Sequence, residues 1–156
     1  MSRRISTHKR FPEKDIKYNN LLISLLINRI LKHGKKQLAQ RIIYKALNFI
    51  QFRTTQDPVL IFEKAVRNVS PRVQVKAKRL GGATYQVPVL LNKYKATLLA
   101  IKWIIECSKK RTGKSISIKI ANELIDAAKG SSNSIKKKEE THKIAEANKA
   151  YAQMRY

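Results

Sequence analysis

Cations dominate the residues of this chain that could do chemistry. Lys35-Lys36, Lys76 with Lys78-Arg79, Lys109-Lys110-Arg111 with Lys114, and Lys136-Lys137-Lys138 form four clusters. All but the second, which lies on a predicted ribbon, fall where the sequence pattern puts a turn or the end of an element. The chemistry open to such groups is charge-assisted hydrogen bonding to phosphate oxygens. Lys35-Lys36 adds a second feature. It stands at a predicted helix start, where free backbone N–H groups reinforce the side-chain charge. One such cluster alone reads as a solvated charged face; four in one chain point to a polyanion.

Catalysis has no comparable footing. The ten carboxylates are scattered and most have a lysine neighbour. Glu139, Glu140 and Lys143 have the spacing that supports an exposed helix. His8, His33, His142 and Cys107 share no metal-ligand spacing, so neither metal nor cofactor is expected. No Walker loop or dinucleotide glycine fingerprint occurs. A Ser/His/Asp set stays open in principle, with nothing to single one out. Lone Cys107 leaves no intramolecular disulfide and sits four residues after Trp103 in a helical pattern, which reads as packing. Tyr85 and Trp103 offer faces on which bases can stack, but packing is the simpler reading for both.

Net charge sharpens the choice of partner. The chain has 34 Lys+Arg against 10 Asp+Glu, a formal +24 on 156 residues. Solubility asks for far less. Self-repulsion on that scale opposes compaction unless a polyanion neutralises it, and nucleic acid does so with release of counterions. A membrane fits poorly. Leu21 to Leu31 is the most apolar stretch, Asn28 and Arg29 interrupt it, and no run reaches the ~20 residues of a span. The start, MSRRISTHKRF, lacks the apolar core of a signal peptide and is short for a transit peptide. Residues 1–16 read as a flexible basic arm.

The elements that must position these cations form a single domain over 1–156. The expected class is mainly α: a bundle of about six helices with a protruding basic β-hairpin, residues 72–90, between helices three and four. Leu21, Leu22, Leu25, Leu26 and Ile30 recur at helical steps and predict a helix from about Tyr18 to Lys32, closed by His33-Gly34. A second runs from about Lys36 to Arg53, with Leu38, Ile42, Leu47, Phe49 and Ile50 as core. Asp57-Pro58 opens a third. It runs to about Val69 and buries Leu60 or Ile61, Ala65 and Val69, and Ser70-Pro71 ends it. Asn92 caps a fourth that reaches Lys110, with Leu98, Leu99, Ile101, Trp103 and Ile105 inward. Ser115 caps a fifth with the stripe Ile118, Ala121, Leu124, Ile125 and Ala128, and Gly130 stops it. The Ser131–Ser134 loop caps a sixth that runs to about Gln153 on a thin seam of Ile135, Ile144, Ala147 and Tyr151.

The hairpin is RVQVKAKRLGGATYQVP, two alternating runs about Gly81-Gly82. Pairing Ala77 with Tyr85, Val75 with Val87 and Val73 with Val89 sets apolar against apolar. It leaves a three-residue loop, Leu80-Gly81-Gly82, with Gly82 left-handed. A two-residue Gly81-Gly82 loop would oppose Lys76 to Val87 and Lys78 to Tyr85 and ranks second. Strands of about seven residues give an arm roughly 23 Å long. A two-stranded ribbon is marginal in water, so a long basic one calls for something to lie against.

The segments KAKRLGGATYQVPV, LLAIKWIIECSKKR and ANELIDAAKGSSNSIKKKEETHKIAEANKAYAQMRY closely resemble the bacterial and organellar form of ribosomal protein seven of the small subunit. Met1-Ser2-Arg3-Arg4, NRILKHGKK at 28–36 and IIYKAL at 42–47 agree more loosely. The resemblance spans the whole chain. It implies a helical fold with a hairpin, direct binding to the 3′ major domain of small-subunit ribosomal RNA, and nucleation of the subunit head. It also implies a hairpin near the messenger exit path and exit-site transfer RNA, and contact with the eleventh small-subunit protein. On that reading the RNA contacts are Arg3, Arg4 and Arg10 of the arm, Lys35, Lys36, Arg72, Lys76, Lys78, Arg79, Lys95, Lys102, Lys109, Lys110, Arg111, Lys114, Lys136, Lys137 and Lys138, with Gly81 and Gly82 as the hairpin turn. One departure stands out. Relatives often carry consecutive arginines before the LA-x-RW stretch, where this chain has Lys93, Tyr94, Lys95 and Lys102. Lysine keeps the charge but loses the planar fork that grips phosphate in two places. The Ile/Asn/Lys/Tyr bias looks most like plastid-encoded members, with a bacterial source as the alternative. An architectural DNA-binding ribbon protein and an RNA-modifying enzyme are the competing classes. The first would need a self-complementary dimer seam and the second a cofactor motif; neither is evident.

Overall fold

The computed structural model describes residues 12–80 and 82–153. Arg3, Arg4, Arg10 and Gly81 lie outside the described residues. Six helices and one hairpin follow in order: α1 (Leu21–Ile30), α2 (Lys36–Thr54), α3 (Pro58–Val69), β1 (Val73–Leu80), β2 (Ala83–Leu90), α4 (Lys93–Lys110), α5 (Ile116–Lys129) and α6 (Asn133–Ala147). A short 3-10 turn, Lys149–Gln153, closes the described chain. The fold is the expected helical bundle with an antiparallel hairpin between α3 and α4.

Helix α5 is the central post, packed against α2, α3, α4 and α6. Ile23, Leu26, Ile43, Ile50, Phe62, Ile104 and Leu124 form a fully buried core around it. The punctuation follows local chemistry. Asp57 accepts the Val59 N–H at 2.9 Å with Pro58 in the first turn of α3. Asn20 and Ser132 cap α1 and α6 in the same way. Asn92 and Ser115 occupy the N-cap positions of α4 and α5 without a side-chain cap bond. Gly130 ends α5 at φ +93°, a left-handed conformation that glycine adopts without strain.

Several helix faces differ from the sequence expectation. α1 is shorter than Tyr18–Lys32. In α2 the buried residues are Ala39, Ile43, Ala46, Leu47 and Ile50, while Leu38 is half exposed and Ile42 and Phe49 only flank the core. In α5 the inward residue is Ile120 and Ile118 faces out. In α3 Ile61 is buried and Leu60 exposed. Leu21 and Leu98 are also part-exposed. α6 stops at Ala147, where the Asn148 side chain donates to the Ile144 carbonyl at 2.8 Å. Ala145 is buried there, and Ile144 and Ala147 are exposed.

Hairpin register is the clearest correction. Val73 pairs with Leu90, Val75 with Pro88, Lys76 with Val87, Lys78 with Tyr85 and Leu80 with Ala83. The last pair, Leu80 with Ala83, leaves room for a two-residue loop in place of the three-residue one, with Gly82 at φ +92°. Register is strongly specified only where one face is buried, and among the described side chains of the two strands Val87 alone is buried. Lysine stems can lie along neighbouring apolar side chains on a pleated face, and Gly82 suits the positive φ that a two-residue turn asks for. The ribbon's root is anchored, with Val87 buried and the Leu91 N–H donating to the Arg72 carbonyl; nearer the turn Tyr85 meets Tyr151 at 5.1 Å between rings.

His142 of α6 adds a pH-sensitive tie to that root. Its Nε2 accepts the Arg72 N–H at 3.2 Å, which only the neutral imidazole can do. Burial lowers its pKa, and the charges of Lys138 and Arg72 act the same way. The unfolded chain therefore takes up this proton at a higher pH than the folded one. The tie is at full strength above the ordinary histidine range near ~6.5 and weakens as pH falls through it toward the lower folded value. Thermal midpoints measured between pH 7.5 and 5.5 are expected to fall with pH, and His142→Gln is expected to flatten that slope. An unchanged slope in the variant would refute the assignment.

Candidate nucleic-acid interface

Six of the ten carboxylates are engaged by partners within the fold, while Glu13, Glu139, Glu140 and Glu146 are exposed. Asp15 is buried and accepts the Tyr44 hydroxyl at 2.8 Å together with the Lys17 and Tyr18 amides. Burial, with the hydrogen bond to Asp15 and its charge, pushes the Tyr44 hydroxyl up to about 12, so it stays a donor. Asp57 caps α3, and Glu63 accepts from Asn20 at 2.7 Å. Glu106 takes Lys137 at 2.6 Å and Lys102 at 3.8 Å. The Lys137 hydrogen bond, with the charges of Lys137, Lys102 and Arg29, holds the Glu106 carboxyl below its usual range. Glu123 and Asp126 together grip Arg111.

Three concavities carry lysines. The first lies between the ribbon, α4 and α6, about 480 Å³ in volume. Its lining includes Gln74, Gln86, Lys102, Trp103 and Lys137. Trp103 is nearly buried, as its packing role predicts, and Lys137 lies 5.9 Å over its ring. The second lies at the other end of α4. There Lys32, His33 and Lys35 of the α1–α2 turn meet Lys109 around a floor that includes Leu38, Ile42 and Ile116. Beside it, Gly34, Lys35, Lys36, Gln37, Leu38 and Arg41 surround a hollow of about 520 Å³ at the start of α2. No side chain caps α2, so its opening turn is a fit place for an outside anion. His33 and Gly34, at φ +51° and +71°, reverse the chain tightly enough to present that end.

Helix α4 joins the first two. Lys95, Lys102 and Lys109 recur every seven residues along it. That spacing keeps them on one face over ~21 Å. Sequence reading named the three lysines without seeing the line they make, although the interval was there to be read. Lys32 lines the second concavity, Arg41 the hollow beside it, and Arg29 is close enough to Glu106 to help lower its pKa; sequence reading named none of the three.

Not every candidate faces outward. Arg111 is held by Glu123 and Asp126, Lys137 by Glu106, and Lys138 donates to the Asn68 carbonyl at 2.6 Å. Lys36, Lys76, Arg79, Lys95, Lys109, Lys110, Lys114 and Lys136 are exposed, as are Lys35, Arg72 and Lys102. Lys78 is half-buried on the ribbon. Among the described residues no group of three His, Cys, Asp or Glu could hold a metal ion, and no helix is long and apolar enough to cross a membrane.

A basic face on a helical bundle with a hairpin suits several RNA- or DNA-binding folds; comparison with known proteins separates them. The family model for ribosomal protein S7p/S5e matches residues 1–149. The chain belongs to that family. Small ribosomal subunit protein uS7c of Trieres chinensis is 56% identical over 144 residues, covering 92% of this chain and 91% of its own. The uS7 proteins of Acaryochloris marina and Thermosynechococcus vestitus are 54% and 51% identical over 156 residues, the whole of each. The family is a structural, non-enzymatic component of the ribosome. Family membership therefore settles the choice against the RNA-modifying enzyme and the DNA-binding ribbon.

The ribbon divides into an anchored root and an exposed tip. Lys76, Ala77, Arg79, Ala83 and Thr84 are exposed, whereas Val87 is buried. Replacing residues 77–86 with Asn-Gly joins the paired Lys76 and Val87 in register by a favoured two-residue turn. The variant loses the Tyr85–Tyr151 contact, worth about 0.5–1.5 kcal/mol. Helical circular dichroism is expected to survive with a small drop in melting temperature, and RNA affinity is expected to fall by less than about tenfold. Global unfolding would show that the tip belongs to the core.

Proposed function

We propose that the chain binds the 3′ major domain of small-subunit ribosomal RNA directly and nucleates assembly of the subunit head. On this reading the hairpin tip lies near the messenger exit path and exit-site transfer RNA, and the eleventh small-subunit protein is a neighbour. The observation that carries the reading is the set of exposed cations at the uncapped α2 start and at Lys95, Lys102 and Lys109 of α4, broken only where Glu106 pairs with Lys102 and Lys137, in a member of this family. The chemistry is positional. Phosphates meet lysine ammonium groups and free helix amides, and binding releases counterions. The 56% identity to a relative named uS7c and the Ile/Asn/Lys/Tyr bias support a plastid ribosome as its place. The cyanobacterial relatives at 51–54% keep a bacterial ribosome as the second reading.

Lys35 and Lys36 test the contact surface. Both are exposed beside the uncapped turn of α2. Replacing both with Gln is expected to weaken binding to a transcript of the 3′ major domain by about 1–3 kcal/mol, the scale of two charge-assisted hydrogen bonds. The fold is expected to persist, because the α2 core is Ala39, Ile43, Ala46, Leu47 and Ile50. Unchanged affinity at physiological salt, with the protein folded, would remove this site.

A further inference from the structure

Glu123 is fully buried on α5, yet it is a carboxylate in a chain with few of them. One oxygen accepts the Arg111 Nε–H at 2.5 Å. The other accepts the Ser134 hydroxyl at 2.5 Å and the Ser134 backbone N–H at 3.1 Å. Arg111 reaches on through Nη2 to Asp126 at 2.6 Å. Burial alone would lower the arginine pKa, but the hydrogen bonds and charges of Asp126 and Glu123 raise it. No buried side-chain nitrogen or oxygen among the described residues lacks a partner.

Stability alone is a poor reason for such a group. A buried ion pair commonly contributes no more than a well-packed apolar replacement. What it adds is direction. Arg111 follows Lys109 and Lys110, the last residues of α4, and opens the turn that carries Lys114. Ser134 lies in the first turn of α6, which carries Lys136. These basic segments come from different parts of the chain, and one carboxylate fixes both within hydrogen-bond distance of itself. The same contact fills the amino end of α6 with an internal anion. The α6 start is thereby closed to phosphate in a way that the α2 start is not, and Lys136 must act through its ammonium alone.

We infer that Glu123 is a positioning residue that holds the Lys109–Lys114 turn and the Lys136-bearing first turn of α6 together as one phosphate-binding surface. This rests on the proposed RNA contacts of those lysines. The two can fail separately, because a positioning defect and a folding defect leave different marks. Loss of folded protein lowers the active fraction without altering the salt slope of binding; loss of phosphate contacts makes that slope shallower.

The experiment measures binding of the full chain to a transcript of the 3′ major domain across a salt series, with the folded fraction fixed by circular dichroism. A Lys110→Gln, Lys114→Gln, Lys136→Gln triple variant is expected to make the log–log slope shallower by about 2–3. Glu123→Gln, which keeps the size but sets an amide against a donor, is expected to make it shallower by about 2. Ser134→Ala cuts one bond on the α6 side only, is expected to fold, and should give a change of about 1. It decides the matter if Glu123→Gln does not fold. A wild-type slope in the folded Glu123 and Ser134 variants, beside a shallower slope in the triple variant, overturns the positioning role. A wild-type slope in the triple variant overturns the lysine contacts beneath it.

Discussion

Raising monovalent salt from about 50 to about 200 mM is expected to weaken binding to small-subunit ribosomal RNA about a thousandfold. The basis is the +24 charge and the way the fold disposes of its acids. Asp15, Asp57, Glu63, Glu106, Glu123 and Asp126 each serve an internal bond. The other four, Glu13, Glu139, Glu140 and Glu146, are exposed, and 34 lysines and arginines far outnumber them. At about 0.9 counterion per neutralised phosphate, six contacts give a slope near −5. Titrations at several salt concentrations, plotted as log K against log[salt], measure it directly. A slope shallower than about −2 would mean that the cations are a solvated surface and not a phosphate-binding face.

Arg111→Met is expected to destabilise the fold by about 3–5 kcal/mol, more than any other single lysine or arginine replacement considered above. Its guanidinium is the counter-charge to a carboxylate with no exposure to solvent. Methionine fills much of the volume but leaves Glu123 charged and buried with only Ser134 to bond. The neighbouring Lys110 is exposed, and Lys110→Met is expected to stay within about 0.5 kcal/mol. Urea unfolding of the two variants makes the comparison. Equal midpoints would show that the Glu123 carboxylate does not depend on Arg111.

The same arginine marks a limit of sequence reading. Lys109-Lys110-Arg111 looks like three equivalent cations, and nothing in the run says that the third turns inward. Its partners are twelve and fifteen residues away, a distance set by the angle between α4 and α5. Element order was legible because its signals are local. Asp57-Pro58 and Gly130 act within one turn of the chain, and Gly81-Gly82 within two residues. Helix phase was harder. In α2 the large residues Leu38 and Ile42 suggested one stripe, while the packed face uses Ala39 and Ala46 with Ile43 and Ile50. Small residues let helices approach closely, and a reading that counts only bulky ones misses them. Hairpin register failed for the opposite reason: too little of the ribbon is buried for apolar pairing to decide it. The cation line on α4 needed only its seven-residue interval, whereas the meeting of Lys35 with Lys109 needed the fold.

Sedimentation of the tagged full chain through a sucrose gradient tests membership of the small ribosomal subunit most directly. The expected result is a peak coincident with the small subunit and with whole ribosomes, lost to the top of the gradient when salt is raised far enough to screen the phosphate contacts. A chain that stays at the top of the gradient at low salt, while other small-subunit proteins sediment normally, would contradict it.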